Sequence, residues 1–247
     1  MLLPVLMASA WAAFPQVVTL KGEDGASIGA LYGAPSRATD GVVFIPGGGR
    51  GKEDWEATAE KFYRSGVQVL TIDLPVPGAS AVGLEGNVRA ATAWMRAKGV
   101  TRLALVGAEL GANLAINVAA DDPSVVTVVM LSAGLQSAGV ITTDAVSRYG
   151  TRSLLLVASE DDSYGARSAR SLDALALGDH QLQVYERAGK GTRMLNHEPG
   201  LEILMMGFIT THWAVAPATP AAPTTPVITI EHDPLETTGP SAPEGSP

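Results

Sequence analysis

Apolar residues fall into two patterns along this chain. The first is a series of short continuous runs: GVVFIP (41–46), QVLTID (68–73), RLALVG (102–107), VVTVVML (125–131) and RSLLLVA (152–158). A strand with one wet face alternates apolar and polar residues, so runs of this kind predict strands buried on both faces. QLQVYE (181–186) predicts a last strand, and QVVTLKGEDGASIGALYGAP (16–35) predicts two strands joined by a turn at Glu23-Asp24-Gly25. The second pattern is helical spacing between these runs, over 53–65, 85–98 (Val88, Ala91, Trp94, Met95), 110–120, 168–177 and 201–213. Strands alternating with helices predict an α/β fold: a mostly parallel central sheet of about eight strands with helices on both faces. Only a short segment separates the strand ending near Leu131 from the one starting near Arg152, so no large lid domain is expected.

Composition sets the outer bounds. With 247 residues and 46% hydrophobic content the chain suits one domain plus a tail. Residues 1–12 are apolar and end in small residues (Ala8-Ser9-Ala10, Ala10-Trp11-Ala12). They read as a signal peptide, too short for a bilayer span, and imply export to the periplasm or beyond, a cytoplasmic product being the alternative. The folded domain is expected over 13–213. From 214 to 247 the chain is proline-, threonine- and alanine-rich and acidic, and reads as a disordered tail, with VITI (227–230) more a solvated linker than a strand. The net charge of −8 argues against nucleic acid as a partner and against an anionic membrane surface. No cysteine is present, which excludes disulfides, thiolate metal sites and a thiol nucleophile.

The candidate chemistry centres on LALVGAELGANLAINVAA (103–120). A buried strand leads to Gly107-Ala108-Glu109-Leu110-Gly111, and a helix follows. The frame is that of the Gly-x-Ser-x-Gly nucleophile elbow, with Glu109 at its centre. Such a turn needs glycine two positions either side of the centre, because a side chain there would clash. The backbone N–H of Leu110 and those of Gly47 or Gly48, in IPGGGRGKEDW (45–55), occupy the oxyanion-hole positions. The acid position, after the strand 152–158, falls on Asp161, with Glu160 and Asp162 as weaker candidates. The base position, after the last strand, falls on Lys190 in ERAGKGTRML (186–195).

On VVFIPGGGRGKEDW, VGAELGANLA, MLSAGL, LLLVASEDDSYGARSA and AGKGTRML, the chain resembles bacterial α/β-hydrolases of the dienelactone-hydrolase and small-esterase kind, from about Val43 to Trp213. The resemblance implies the α/β-hydrolase fold. Such families carry serine where Glu109 stands and histidine where Lys190 stands, and they tend to carry Arg-Gly-His-Gly around Pro75, Val76 and Pro77. The hydrolase activity therefore does not carry over by resemblance.

A carboxylate nucleophile at the elbow is chemically possible, but its ester must be hydrolysed by water with the help of a base. A lysine beside a carboxylate stays protonated and is a poor base. His197 is expected near the start of the final helix, away from the pocket; His180, His212 and His232 read as surface, helix-end and tail residues. Glu109 and Lys190 occupy touching positions with opposite charges, so an ion pair is expected, with Asp161 approaching the same lysine. The exchange fits either drift after loss of function or selection for a charged binding pocket. No cofactor is called for. A metal held by Glu109, Glu160, Asp161 and Asp162 is disfavoured because an ammonium in the cluster competes with a cation. The expected function is a pseudo-hydrolase that binds a small ligand or a protein partner; the alternative is an ester or lactone hydrolase using Glu109 or an unrecognised nucleophile.

Overall fold

The computed structural model describes residues 12–74 and 80–215. The proline loop at 75–77, His232, VITI and most of the leader segment lie outside the described residues. Among the described residues ten strands and seven helices follow one another as β1 (Ala12–Lys21), β2 (Ser27–Ala34), β3 (Asp40–Ile45), α1 (Glu56–Arg64), β4 (Gln68–Ile72), α2 (Ala81–Ala97), β5 (Arg102–Ala108), α3 (Leu110–Asp121), β6 (Val125–Leu131), β7 (Gln136–Ser137), β8 (Val140–Ile141), α4 (Thr143–Tyr149), β9 (Ser153–Ser159), α5 (Ser163–Asp173), β10 (His180–Tyr185), α6 (Met194–His197) and α7 (Leu201–Val215). Eight strands form the central sheet in the order β1-β2-β4-β3-β5-β6-β9-β10. The β1/β2 and β2/β4 pairs are antiparallel and the remaining pairs are parallel.

The continuous apolar runs are resolved by the pleat, which sends alternate residues to opposite faces. Val43, Ile45, Leu103, Leu105, Val128, Met130, Leu154 and Leu156 enter the core under α2, α3 and α4. Val42, Phe44, Ala104, Val106, Val129, Leu131, Leu155 and Val157 enter the opposite core, under α1 and α7. At the lower end of the sheet Arg102 holds both oxygens of Asp40 and donates to the Trp213 carbonyl at 2.7 Å, tying two strands to the end of α7.

Two local features escape the sequence pattern. α2 starts at Ala81, four residues before the periodic stretch, because Ser80 caps it by accepting from Gly83 N at 3.2 Å. Between β6 and β9 lie the β7–β8 hairpin and α4, which pack on α3. Two-residue strands carry no periodic signal; the segment is held instead by Asn113, whose amide donates to Val140 O and accepts from Gly134 N, each at 3.1 Å. No large lid domain stands over the sheet among the described residues, and none of their helices is long and apolar enough to cross a membrane.

The core under α1 rests on Phe44, fully buried with ring centroids 5.3 Å from both Trp55 and Phe62. Phe44→Ala leaves a cavity between these rings, and denaturant unfolding should show a loss of about 3–5 kcal/mol.

Candidate functional site

The chain turns from β5 into α3 within one residue, Glu109, at φ 52 and ψ −117. The backbone around it is too close for side chains. A Cβ on Gly107 would lie 2.3 Å from the Gly111 carbonyl oxygen, and one on Gly111 would lie 2.3 Å from that of Pro46 and 2.4 Å from that of Ile45. Left-handed backbone at a residue other than glycine costs about 1–3 kcal/mol and survives where the surroundings over-determine it. Here they do: Glu109 N donates to Leu131 O at 2.8 Å, and its carbonyl accepts from Ala112 N and Asn113 N at 3.1 and 3.2 Å.

The turn lifts the Glu109 side chain above the C-terminal edge of the sheet. Its Oε2 lies 3.1 Å from Lys190 Nζ, with side chains 30% and 50% exposed. Its Oε1 packs on the loop backbone at Gly191, where a Cβ would come within 2.7 Å. Gly47 faces the same carboxylate at 3.4 Å from its Cβ position, and Gly48 lies against Leu110. The structure thus gathers Gly47, Gly48, Leu110, Glu109 and Lys190 in one place. Arg50 joins them. Its guanidinium binds Asp54 at 2.7 Å, and its pKa is raised first by that hydrogen bond and charge, with a further contribution from the Glu109 charge.

Asp161 does not pair with Lys190, contrary to expectation. Its carboxylate accepts the Ser159 hydroxyl and, at 3.2 Å to each oxygen, the Gly189 N–H, while the long lysine side chain runs on to Glu109. These hydrogen bonds, led by Ser159, hold the Asp161 carboxyl below its ordinary range. The lysine loop is clamped at three backbone N–H groups: Ala188 on Ser159 Oγ at 2.8 Å, Gly189 on Asp161, and Gly191 on Ser132 Oγ at 2.9 Å. Ser132 follows β6 directly, buried and also left-handed at φ 51. Nothing in the sequence singles out Ser132 or Ser159. The Arg50–Asp54 pair shows in sequence only as an i,i+4 spacing of opposite charges.

The three described histidines make no ion pair with Glu109. His197 ends α6, exposed, with Cδ2 3.9 Å from the Cβ position of Gly189, and it forms no ion pair among the described residues. His180 and His212 sit at the edge between β10 and α7, on Gly178 O and on Asp179. No group of three or more acidic or histidine side chains among the described residues is placed to hold a metal ion. Glu160 is taken up by Arg170, and Asp162 caps α5 through Gly165 N.

Because the 109–190 pair is half open to water, Lys190→Met should cost less than about 1 kcal/mol by denaturant unfolding. Gly111→Ala, which drives a methyl into two carbonyl oxygens, should cost about 1–3 kcal/mol or more. Asp161 has a depressed pKa, so its contribution to the clamp is complete above about pH 4, near its unfolded value, and disappears as pH falls through the lower folded value. Protection of the Gly189 amide, its exchange rate set against that of an unfolded chain at the same pH, should fall across that acid window in the wild type, and should lack this acid step in Asp161→Asn.

A family model described as the alpha/beta hydrolase family matches residues 42–244. No curated protein matches the chain. Among solved structures, an esterase from Pyrococcus furiosus superposes with a TM-score of 0.67 at 12% identity, covering 80% of this chain and 90% of its own. A dienelactone hydrolase from Anabaena variabilis gives 0.65 at 19% identity, covering 81% and 97%, and an esterase domain from Rhodothermus marinus gives 0.62 at 20%, again 81% and 97%. At such identities these similarities speak for the fold alone. With the family model spanning most of the chain, and an eight-stranded sheet of matching form bearing a sharp elbow between β5 and α3, the chain belongs to the alpha/beta hydrolase family.

Proposed function

We propose that this protein is a non-catalytic member of its family that binds a ligand or partner through the cleft above Glu109. The observation that carries this reading is the 3.1 Å ion pair between Glu109 and Lys190. Acyl transfer requires a nucleophile and a free base in contact. Here a carboxylate and an ammonium neutralise each other, and among the described residues the ion-pair partner of Glu109 is Lys190, not a histidine. For the alternative, hydrolysis of an ester or lactone through Glu109 or an unrecognised nucleophile, no free base is in contact with Glu109 among the described residues.

Binding is favoured over simple decay by the strain at residue 109. Glycine there would relieve the left-handed backbone at no steric cost, yet the chain carries a charged side chain, matched to Lys190 and near Arg50. A cleft of about 260 Å³, lined not by the pair itself but by polar groups of both signs including Arg50, Asp54, Thr192 and Arg193, adjoins the site through Arg50. Such a lining suits a polar ligand better than an acyl chain.

The same reading takes the protein as exported. The described part of β1 starts at Ala12 and so lies wholly after a cleavage at Ala10.

Purified wild-type protein should hydrolyse short-chain aryl esters no faster than buffer. Turnover well above that rate, abolished by Glu109→Ala, would overturn the proposal. Intact-mass measurement of protein from the native host should give a chain starting at Trp11; a product retaining Met1 would refute export by this leader.

A further inference from the structure

α7 differs from the other long surface helices in having no charged outer face. α1, α2 and α5 turn Glu60 and Arg64, Glu85 and Arg89, and Arg167 and Arg170 outward. On α7 the two ionisable residues are turned sideways: Glu202 binds Thr58 at 2.8 Å and Lys61, and His212 binds Asp179 at 2.9 Å. The outer surface is left to Ile203, which is 76% exposed, with Leu204, Met206, Gly207, Thr210 and Thr211. Hollows run along both sides of it. One of about 580 Å³ is bounded by Lys61, Ser65, Pro199, Ile203, Met206 and Thr210; the other, about 420 Å³, by Leu204, Phe208 and the two histidines. They meet at Gly207, where an added Cβ would touch nothing within 4 Å. Among the described residues nothing covers this face.

The chain itself continues from the end of it. The described residues stop at Val215, the last of α7, whose C-terminal turn is anchored by Arg102 on the Trp213 carbonyl. The next stretch, APATPAAPTTP (216–226), carries Pro217, Pro220, Pro223 and Pro226, and neither it nor VITI (227–230) holds a charge. A spacing of three is the repeat of the polyproline II helix, so this pattern puts the four rings on one side of an extended rod. One turn of that rod rises about 9 Å, close to the roughly 10 Å between Ile203 and Thr210 along α7.

We propose that residues 217–226 turn back after α7 and dock along its outer face, proline rings against Ile203, Met206 and the gap at Gly207. Reach allows it: returning from Val215 to Ile203 takes about 18 Å along the helix, and the segment extends about 34 Å. A chain-linked segment meets its site at an effective concentration in the millimolar range, which favours it over a second copy of the protein. The docked stretch would shield an apolar face that otherwise invites association. The expectation of a disordered tail over 214–247 is thereby narrowed to the residues beyond Pro226.

The absence of cysteine in the chain makes a clean test possible. In the full-length protein, Ile203→Cys with Thr224→Cys should form an intramolecular disulfide about tenfold or more faster than Val17→Cys with Thr224→Cys. Val17 is 78% exposed on β1, at the far edge of the sheet. Adding Pro220→Gly and Pro223→Gly to the first pair should slow closure toward the control rate. Equal rates in the two pairs, closure unaffected by the glycines, or a disulfide-linked dimer as the main product would each overturn the proposal.

Discussion

The site depends on one packing constraint: the backbones of β5, α3 and the end of β3 approach so closely at Gly107 and Gly111 that no Cβ fits at either position. The strand must become a helix in a single residue, and that residue must be left-handed. Whatever stands at 109 is therefore raised above the sheet edge and cannot fold back into the core. The family's chemistry uses this geometry to present a nucleophile. In this chain the same geometry presents a carboxylate, and the strain at φ 52 is sustained by hydrogen bonds from the backbone on both sides.

A presented carboxylate then needs its surroundings arranged, and the loop after β10 does this. Its N–H groups at Ala188, Gly189 and Gly191 are held by side chains at the ends of β9 and β6. The clamp gives Asp161 a part different from orienting a base: it fixes the backbone on one side of Lys190, as Ser132 does on the other. Lys190 is thus carried on a rigid support while its own side chain stays half exposed. Direction comes from the backbone and little stability comes from the pair, which is the usual balance for ion pairs open to water.

Much of this was legible beforehand, for definite reasons. The runs around Val43, Leu105, Val129 and Leu155 are apolar on both faces, and only a strand between two layers of helix tolerates that. The glycines at 107 and 111 marked the turn because their spacing answers a steric demand, and Gly47, Gly48, Leu110 and Lys190 followed from their order relative to the strands. Less legible was the partnership of Asp161, since its distance in sequence from Lys190 says nothing about which of several donors its oxygens accept. The two serines of the clamp were invisible for the same reason: a buried serine is recognised by the N–H it receives, and that N–H lies on a distant loop. The hairpin and short helix over 136–149 escaped because their order comes from Asn113 and Thr142 rather than from any period of their own.

By itself, then, the sequence determined the layer architecture, the order of strands and helices along the chain, and the identity of the residue at the elbow, because periodicity and glycine placement are local properties of the chain. The tertiary structure alone decided that Asp161 turns to Ser159 and Gly189 and leaves Lys190 to Glu109, that two buried serines hold the lysine loop, and that α7 is left with an uncharged outer face directly ahead of a proline-spaced segment. Each of these is a relation between elements far apart in sequence, settled by which polar group reaches a partner first once the sheet has closed and its two cores have excluded water.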